Sequence, residues 1–321
     1  MSQKKRITEF AVNMHCTHLM LLQQEDLTSV NEYNYFSSEY PCHIYFICRR
    51  PRLLIDPTKF KVTNEVITFP FKSQKEENFD EFEINYPNKF NTTDFILTSD
   101  YPYNSFEQRR DGIVAIKGKS AVLLQYFGSQ YSEYSEYSEY LDLEVLYIGQ
   151  SYGVDGARTA PDRLQSHSTL QGIYNEAIRR NPDCEIWLLL TSFEKFLITS
   201  MDGRVKLNEE ELVKDSEHLK KVTSIFSNND LDEQLVINFT EAAFIRYFQP
   251  SYNKEYKNTF PNPAHSTYSQ CYDLDINAIC IELETDSLFC RLYSKDIEKK
   301  WQHTKEFPLH NKEERKSMFE I

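Results

Sequence analysis

LEVLYIGQSYGVDGARTAPDRLQSH, residues 143–167, carries the densest chemistry of the chain. Alternation places Leu143, Val145 and Tyr147 on one face of a short strand and Leu146 and Ile148 on the other, as in a strand covered on both sides. Gly149 lets a backbone or ligand come close where the strand ends. A glycine-containing loop follows, and Pro161 suits the first turn of a helix. Arg163 and His167 then fall one turn apart on a helix face. A tyrosine, an arginine and a histidine converging at a strand end point to a phosphate site, because the planar fork of arginine matches phosphate oxygens.

Downstream, a second helix runs from about Leu170 to Arg180 and stops before Pro182. CEIWLLL (184–190) is an apolar run of strand length. Residues 191–236 read as a polar insertion holding an amphipathic helix over 208–226, with Leu212, Leu219, Val222 and Phe226 on its apolar stripe. In VINFTEAAFIRYFQPSYN (236–253), Thr240 is placed to cap a helix ending before Pro250. That puts Glu241 in the first turn, where the helix dipole favours a carboxylate. Asn253 follows the proline.

Upstream, GIVAIKGKSAVLLQYFGS (112–129) reads as two apolar runs joined by a turn at Lys117, Gly118 and Lys119. The triplet repeat YSEYSEYSEY (131–140) matches neither the 3.6 period of a helix nor the 2 of a strand and is expected to be an exposed loop. Before residue 110, strands are expected at 42–49, 52–56, 61–71 and 79–86, rich in β-branched and aromatic residues. Arg49, Arg50 and Arg52 form a basic cluster open to two readings, phosphate contact or a solvated strand end.

The chain has 321 residues, enough for two ordinary domains or one with large insertions. Only eight glycines argue against a glycine-rich nucleotide cradle, and a net charge of -13 excludes a global field that draws the protein onto nucleic acid. Any nucleic-acid site must be a local patch. Seven scattered cysteines without a CxxC pair suggest neither a disulfide framework nor a zinc ribbon. No apolar run approaches the roughly 20 residues of a membrane span. A cytoplasmic protein with no membrane partner is expected.

The order Tyr147-Ile148-Gly149, Arg163, His167, Glu241, Asn253 resembles the GIY-YIG nuclease family over about residues 115–256. The resemblance implies an α+β fold, in which a small domain has a three-stranded central antiparallel sheet flanked by helices. Three parts are expected: a β-rich N-terminal domain at 1–110, the nuclease-like domain at 111–258 with its insertion at 191–236, and a C-terminal extension at 259–321 with a β-hairpin within 276–293. The resemblance also implies metal-dependent hydrolysis of phosphodiester bonds, with DNA as the expected substrate. Tyr147 and Arg163 would stand at the scissile phosphate, Tyr147 helped by Tyr126 or His167 would activate or position the water, Glu241 would hold Mg²⁺ or Mn²⁺, Asn253 would support the site, and Gly149, Ser151 and Arg158 would contact substrate. The family's first tyrosine motif precedes the YIG strand, so Gly172-Ile173-Tyr174, which follows it in a helix, is a decoy. Gly112-Ile113-Val114 and Tyr126-Phe127-Gly128 compete for that position, and Tyr126 is preferred because it keeps the hydroxyl. The rival expectation is a catalytically inactive interaction or regulatory protein on the same scaffold, engaging a protein partner or its own copies.

Overall fold

A computed structural model describes residues 6–33, 35–36, 40–152, 160–164, 167–263, 269–311 and 315–320. The strands in chain order are β1 Thr8–Leu22, β2 Ile44–Pro51, β3 Leu53–Ile55, β4 Lys61–Val62, β5 Val66–Lys75, β6 Asn78–Pro87, β7 Phe95–Thr98, β8 Ser105–Arg110, β9 Ile113–Lys119, β10 Leu143–Gln150, β11 Cys184–Met201, β12 Ala278–Glu284, β13 Leu292–Tyr293 and β14 Gln302–Pro308. The helices are α1 Leu27–Glu32, α2 Ser120–Gln130, α3 Ala160–Leu164, α4 Ser168–Arg180, α5 Glu209–Ser227, α6 Glu233–Phe248 and α7 Ser269–Asp273. Helix and strand are nearly balanced, and the principal sheet is curled and seven-stranded in the order β13-β10-β2-β11-β1-β12-β14. Two smaller sheets, β3-β5-β4 with β6 paired to β5, and β7-β8-β9, stand apart from it.

The apolar runs of β2, β10 and β11 are buried on both faces, as their lack of strict alternation requires. On one face Phe46, Trp187 and Leu189 meet Phe239, Phe244 and Phe248 of α6. On the other, Tyr45, Ile47 and Leu188 meet Leu164 of α3 and Leu170 and Ile173 of α4. The Ile173 of the decoy triplet is thus core, inside α4.

The expected segmentation is corrected by strand pairing. Residues 1–110 do not form a unit of their own, because β1 pairs β11 and β2 lies between β10 and β11. The segment after Leu190 is not wholly an inserted polar stretch, since β11 continues to Met201 along β1, and only α5 beyond it follows the expected amphipathic helix. No hairpin closes over 276–293: β12 takes β14 as its antiparallel partner, while β13 pairs in parallel with Leu143 and Glu144 of β10.

The Ser-Glu-Tyr repeat is also corrected. Residues Ser132–Leu141 form a 3₁₀ helix, whose three residues per turn match the triplet period. Every tyrosine therefore falls on one side, and Phe82 stacks with Tyr137 and Tyr140 at 4.6 Å from each ring. Residues 117–119 end β9 instead of making a hairpin turn, and the second apolar run is helix α2.

Candidate active site

The site is built where β10 ends. β10 runs antiparallel to β2 with Gly149 opposite Tyr45 and Tyr147 opposite Ile47, and the register shifts between Val145 and Tyr147. That bulge leaves Leu146 as an extra residue and reverses the alternation beyond it. Leu143, Val145 and Ile148 consequently pack in the α6 core, whereas Leu146 and Tyr147 turn to the face of α3 and α4. Simple alternation, which grouped Tyr147 with Leu143 and Val145, fails for this reason.

Tyr45 is the tyrosine beside Tyr147, their ring centroids 6.3 Å apart. Tyr126 is not: it lies on α2, half exposed, with Phe127 as its ring neighbour. Val114 lies on the exposed β9. Tyr45 was missed because it stands about a hundred residues upstream of Tyr147. Its signal was the His43-Ile44-Tyr45 start of an apolar strand.

Gly149 is required here by space. A Cβ at this position would lie 2.5 Å from Tyr45 Oη and 2.7 Å from the Tyr147 ring. Asn253 holds the neighbouring residue, as its Oδ1 accepts from Ile148 N at 2.9 Å and its Nδ2 donates to Ile148 O at 2.8 Å. The side chain thereby replaces a strand partner along the outer edge of β10, which β13 covers only at its start.

His167 does not share a helix with Arg163. Arg163 sits in the last turn of α3, and His167 is the N-cap of α4. Its Nδ1 accepts from Leu170 N at 3.1 Å, and its Nε2 lies 2.8 Å from Tyr45 Oη. With Nδ1 used as an acceptor, the neutral ring carries its proton on Nε2 and donates it to Tyr45. His167 is thus a donor to the tyrosine and not a base acting on it.

Glu241 is also placed differently from expectation. Asp232 caps α6 by accepting from Leu235 N at 2.8 Å, so the helix starts well before Thr240. Thr240 is buried in its interior, its hydroxyl donating to Val236 O at 2.6 Å. Glu241 is mid-helix and close enough to Gln150 at the end of β10 for that residue's amides to favour its charged form, while Gln150 Nε2 donates to Asn238 Oδ1 at 2.5 Å.

These groups share one electrostatic environment. Burial raises the Tyr45 phenol far above its ordinary range, with Tyr147 adding to the rise and the charge of Arg163 opposing it. Burial likewise raises Tyr147, helped by Glu241, while Arg163 and a hydrogen bond from Tyr45 act downward. Burial pushes the Glu241 carboxyl up to about 7 despite Arg163 and Gln150, and the nearby Glu255 carboxylate adds to the rise. One cation is coupled to two phenols and a carboxylate whose charged forms are poorly solvated. Tyr45 is fully buried, so Tyr147 presents the more accessible hydroxyl.

The other expected residues that the structure describes make contacts within the sheet. Ser151 is buried, and its carbonyl lies 2.6 Å from His43 Nδ1, continuing the β2–β10 contact. Arg158 lies outside the described residues. Arg50 is buried over the Trp187 ring at 3.9 Å and paired with Glu185, while Arg49 pairs Glu144 at 2.8 Å and Asn181 at 2.7 Å. Those two arginines are committed to the sheet and not to phosphate.

Among the described residues no group of three or more His, Cys, Asp or Glu side chains is arranged to hold a metal. A cation here would therefore rest on the single carboxylate of Glu241 with water or substrate oxygens, a mode that suits Mg²⁺. The raised Glu241 carboxyl fits such an ion, since its negative charge is undercompensated by the protein alone. No helix among the described residues is long and apolar enough to cross a membrane. Compared with protein-family models, with curated proteins and with solved structures, the chain matches none.

Proposed function

We propose that the chain is a metal-dependent nuclease of GIY-YIG type that hydrolyses phosphodiester bonds, with DNA as the substrate. The observation that carries this reading is the meeting of Tyr45, Tyr147, Arg163 and Glu241, drawn from β2, β10, α3 and α6, around a glycine that admits the Tyr45 hydroxyl. The antiparallel trio β10-β2-β11 supports it as the small central sheet of such a domain, embedded in a larger one. His43-Ile44-Tyr45 takes the place of the first tyrosine motif, with histidine for the usual glycine.

Arg163 binds the scissile phosphate and balances the charge that develops there. The attacking water is held at Tyr147 Oη. Tyr45, fixed by His167, orients the Tyr147 phenol and stabilises its deprotonated form by hydrogen bonding. Mg²⁺ or Mn²⁺ at Glu241 would supply Lewis acidity to the phosphate and acidity to water. Gln150 and Asn253 fix the strand end that presents both Tyr147 and Gly149. Because the net charge is -13, affinity for nucleic acid depends on local cations or on a partner protein.

The test is cleavage of labelled DNA and RNA by the purified protein in Mg²⁺, beside Arg163→Ala and Glu241→Ala. Loss of cleavage in both variants, with unchanged melting, is expected. Cleavage surviving both sinks the site; a folded wild-type protein that cuts nothing leaves the scaffold as an interaction module.

A further inference from the structure

A cavity lies between the β7-β8-β9 sheet, helix α2 and the β5-β6 ribbon. It has a volume of about 550 Å³, within the range of small-ligand sites. Its walls are aromatic, and two of them, Phe90 and Tyr126, are 44% and 52% exposed. Rings left open to solvent at a cavity mouth are stacking platforms for another flat ring.

Two further features distinguish this cavity from a packing defect. Gln108 lines it, is only 3% exposed, and its side-chain amide forms no hydrogen bond with any described residue. The residue as a whole is buried, but its amide opens into the cavity, where its donor and acceptor are available to a ligand that fills the space. The rim is also basic in a strongly acidic chain. The Arg110 guanidinium is held 4.7 Å above the Phe90 ring with its Nε 3.9 Å from the Asp111 carboxylate, and Lys117 is exposed without an acidic partner among the described residues.

We infer that this cavity binds an unstacked nucleobase of a nucleic-acid strand, the base stacking on Phe90 and Tyr126, its edge meeting the Gln108 amide and its phosphate facing Arg110 and Lys117. A glutamine amide offers the paired donor and acceptor that an adenine edge accepts. The basic rim supplies a phosphate contact that an apolar peptide does not need. The strand as the source of the base rests on the nuclease reading; the flat, anionic chemistry of the ligand does not.

The test uses the full chain in EDTA, where cleavage is blocked, with a single-stranded oligonucleotide carrying one 2-aminopurine. Quenching of its fluorescence on binding is expected. Phe90→Ala and Gln108→Leu should each weaken binding about 10-fold, and Arg110→Ala should lower the salt dependence by about one ion. Arg163→Ala should abolish cleavage in Mg²⁺ while quenching at saturating protein persists in EDTA, so failure of the catalytic site and failure of this cavity are separable. Equal affinity for an abasic strand, or full affinity in Phe90→Ala and Gln108→Leu, overturns the inference. So does tighter binding of free deoxyadenosine monophosphate than of the strand, or quenching-free behaviour toward the strand with retention of an acidic, aromatic peptide.

Discussion

Gly149 faces Tyr45 across the β2–β10 ladder so closely that a single methyl group at Gly149 would meet the Tyr45 hydroxyl at 2.5 Å. Neither partner can yield cheaply, because Tyr45 is fully buried between α3, α4 and the sheet. Gly149→Ala is therefore expected to displace the Tyr45 and Tyr147 hydroxyls by a fraction of an ångström to an ångström. A misplacement of that size costs on the order of 100-fold in rate. Single-turnover cleavage measures the loss, and wild-type rates in the alanine variant would show that the two hydroxyls do not act together.

His167 performs two duties that substitutions can separate. Alanine removes the cap of α4, which costs about 1 kcal/mol, and removes the donor to Tyr45. Asparagine is a strong N-cap and should restore most of the stability. It cannot present Nε2 to Tyr45, so the activity lost in His167→Ala should stay lost in His167→Asn. Denaturant melts and cleavage rates on the three proteins decide this, and recovery of activity in His167→Asn would reduce His167 to a cap.

Glu241 links the site to pH. Its folded pKa, about 7, lies above the ordinary carboxylate value of 4.5. The folded state thus binds a proton that the unfolded state releases, and the stability associated with that proton is fully present below pH 4.5 and is lost as pH rises through 7. Glu241→Gln should be more stable than wild type at pH 8, by on the order of 1–3 kcal/mol, and indistinguishable from it at pH 4.5. Mg²⁺ should abolish most of that difference by favouring the carboxylate. Melting temperatures at the two pH values, with and without Mg²⁺, test each part, and an unchanged difference in Mg²⁺ would argue against a cation on Glu241.

Local features of the sequence were legible and long-range ones were not. The β10 strand, the glycine at its end, the stop at Pro182 and the amphipathic α5 follow from short-range pattern. The position of Tyr147 did not, because a bulge is set by pairing with β2 and reverses the face of everything after it. Tyr45 was hidden for the same reason: its partner strand is separated from it by β3 to β9, α2 and the tyrosine ladder. Thr240 looked like a cap because threonine favours that position, yet within a helix its hydroxyl is satisfied by the Val236 carbonyl. The triplet repeat had a readable period, but it belonged to the 3₁₀ helix and not to the α-helix or strand against which it was measured.

Asn253 connects fold and site most directly. Its amide satisfies both backbone groups of Ile148, the residue between Tyr147 and Gly149. Asn253→Ala leaves a buried N–H and C=O without partners, at a cost of about 1–3 kcal/mol. The strand end that carries Tyr147 should then fray toward solvent while the α6 side of β10, anchored by Val145 and Leu143, stays packed. Hydrogen exchange should accelerate at Ile148 to Gln150 and remain slow at Leu143 to Val145, with a concurrent fall in cleavage rate of about 10-fold or more. Asn253→Asp should recover little, since a carboxylate can accept from Ile148 N but only repels Ile148 O. Uniform acceleration along the whole of β10 would instead mean that Asn253 supports the sheet in general and has no particular bearing on the tyrosines.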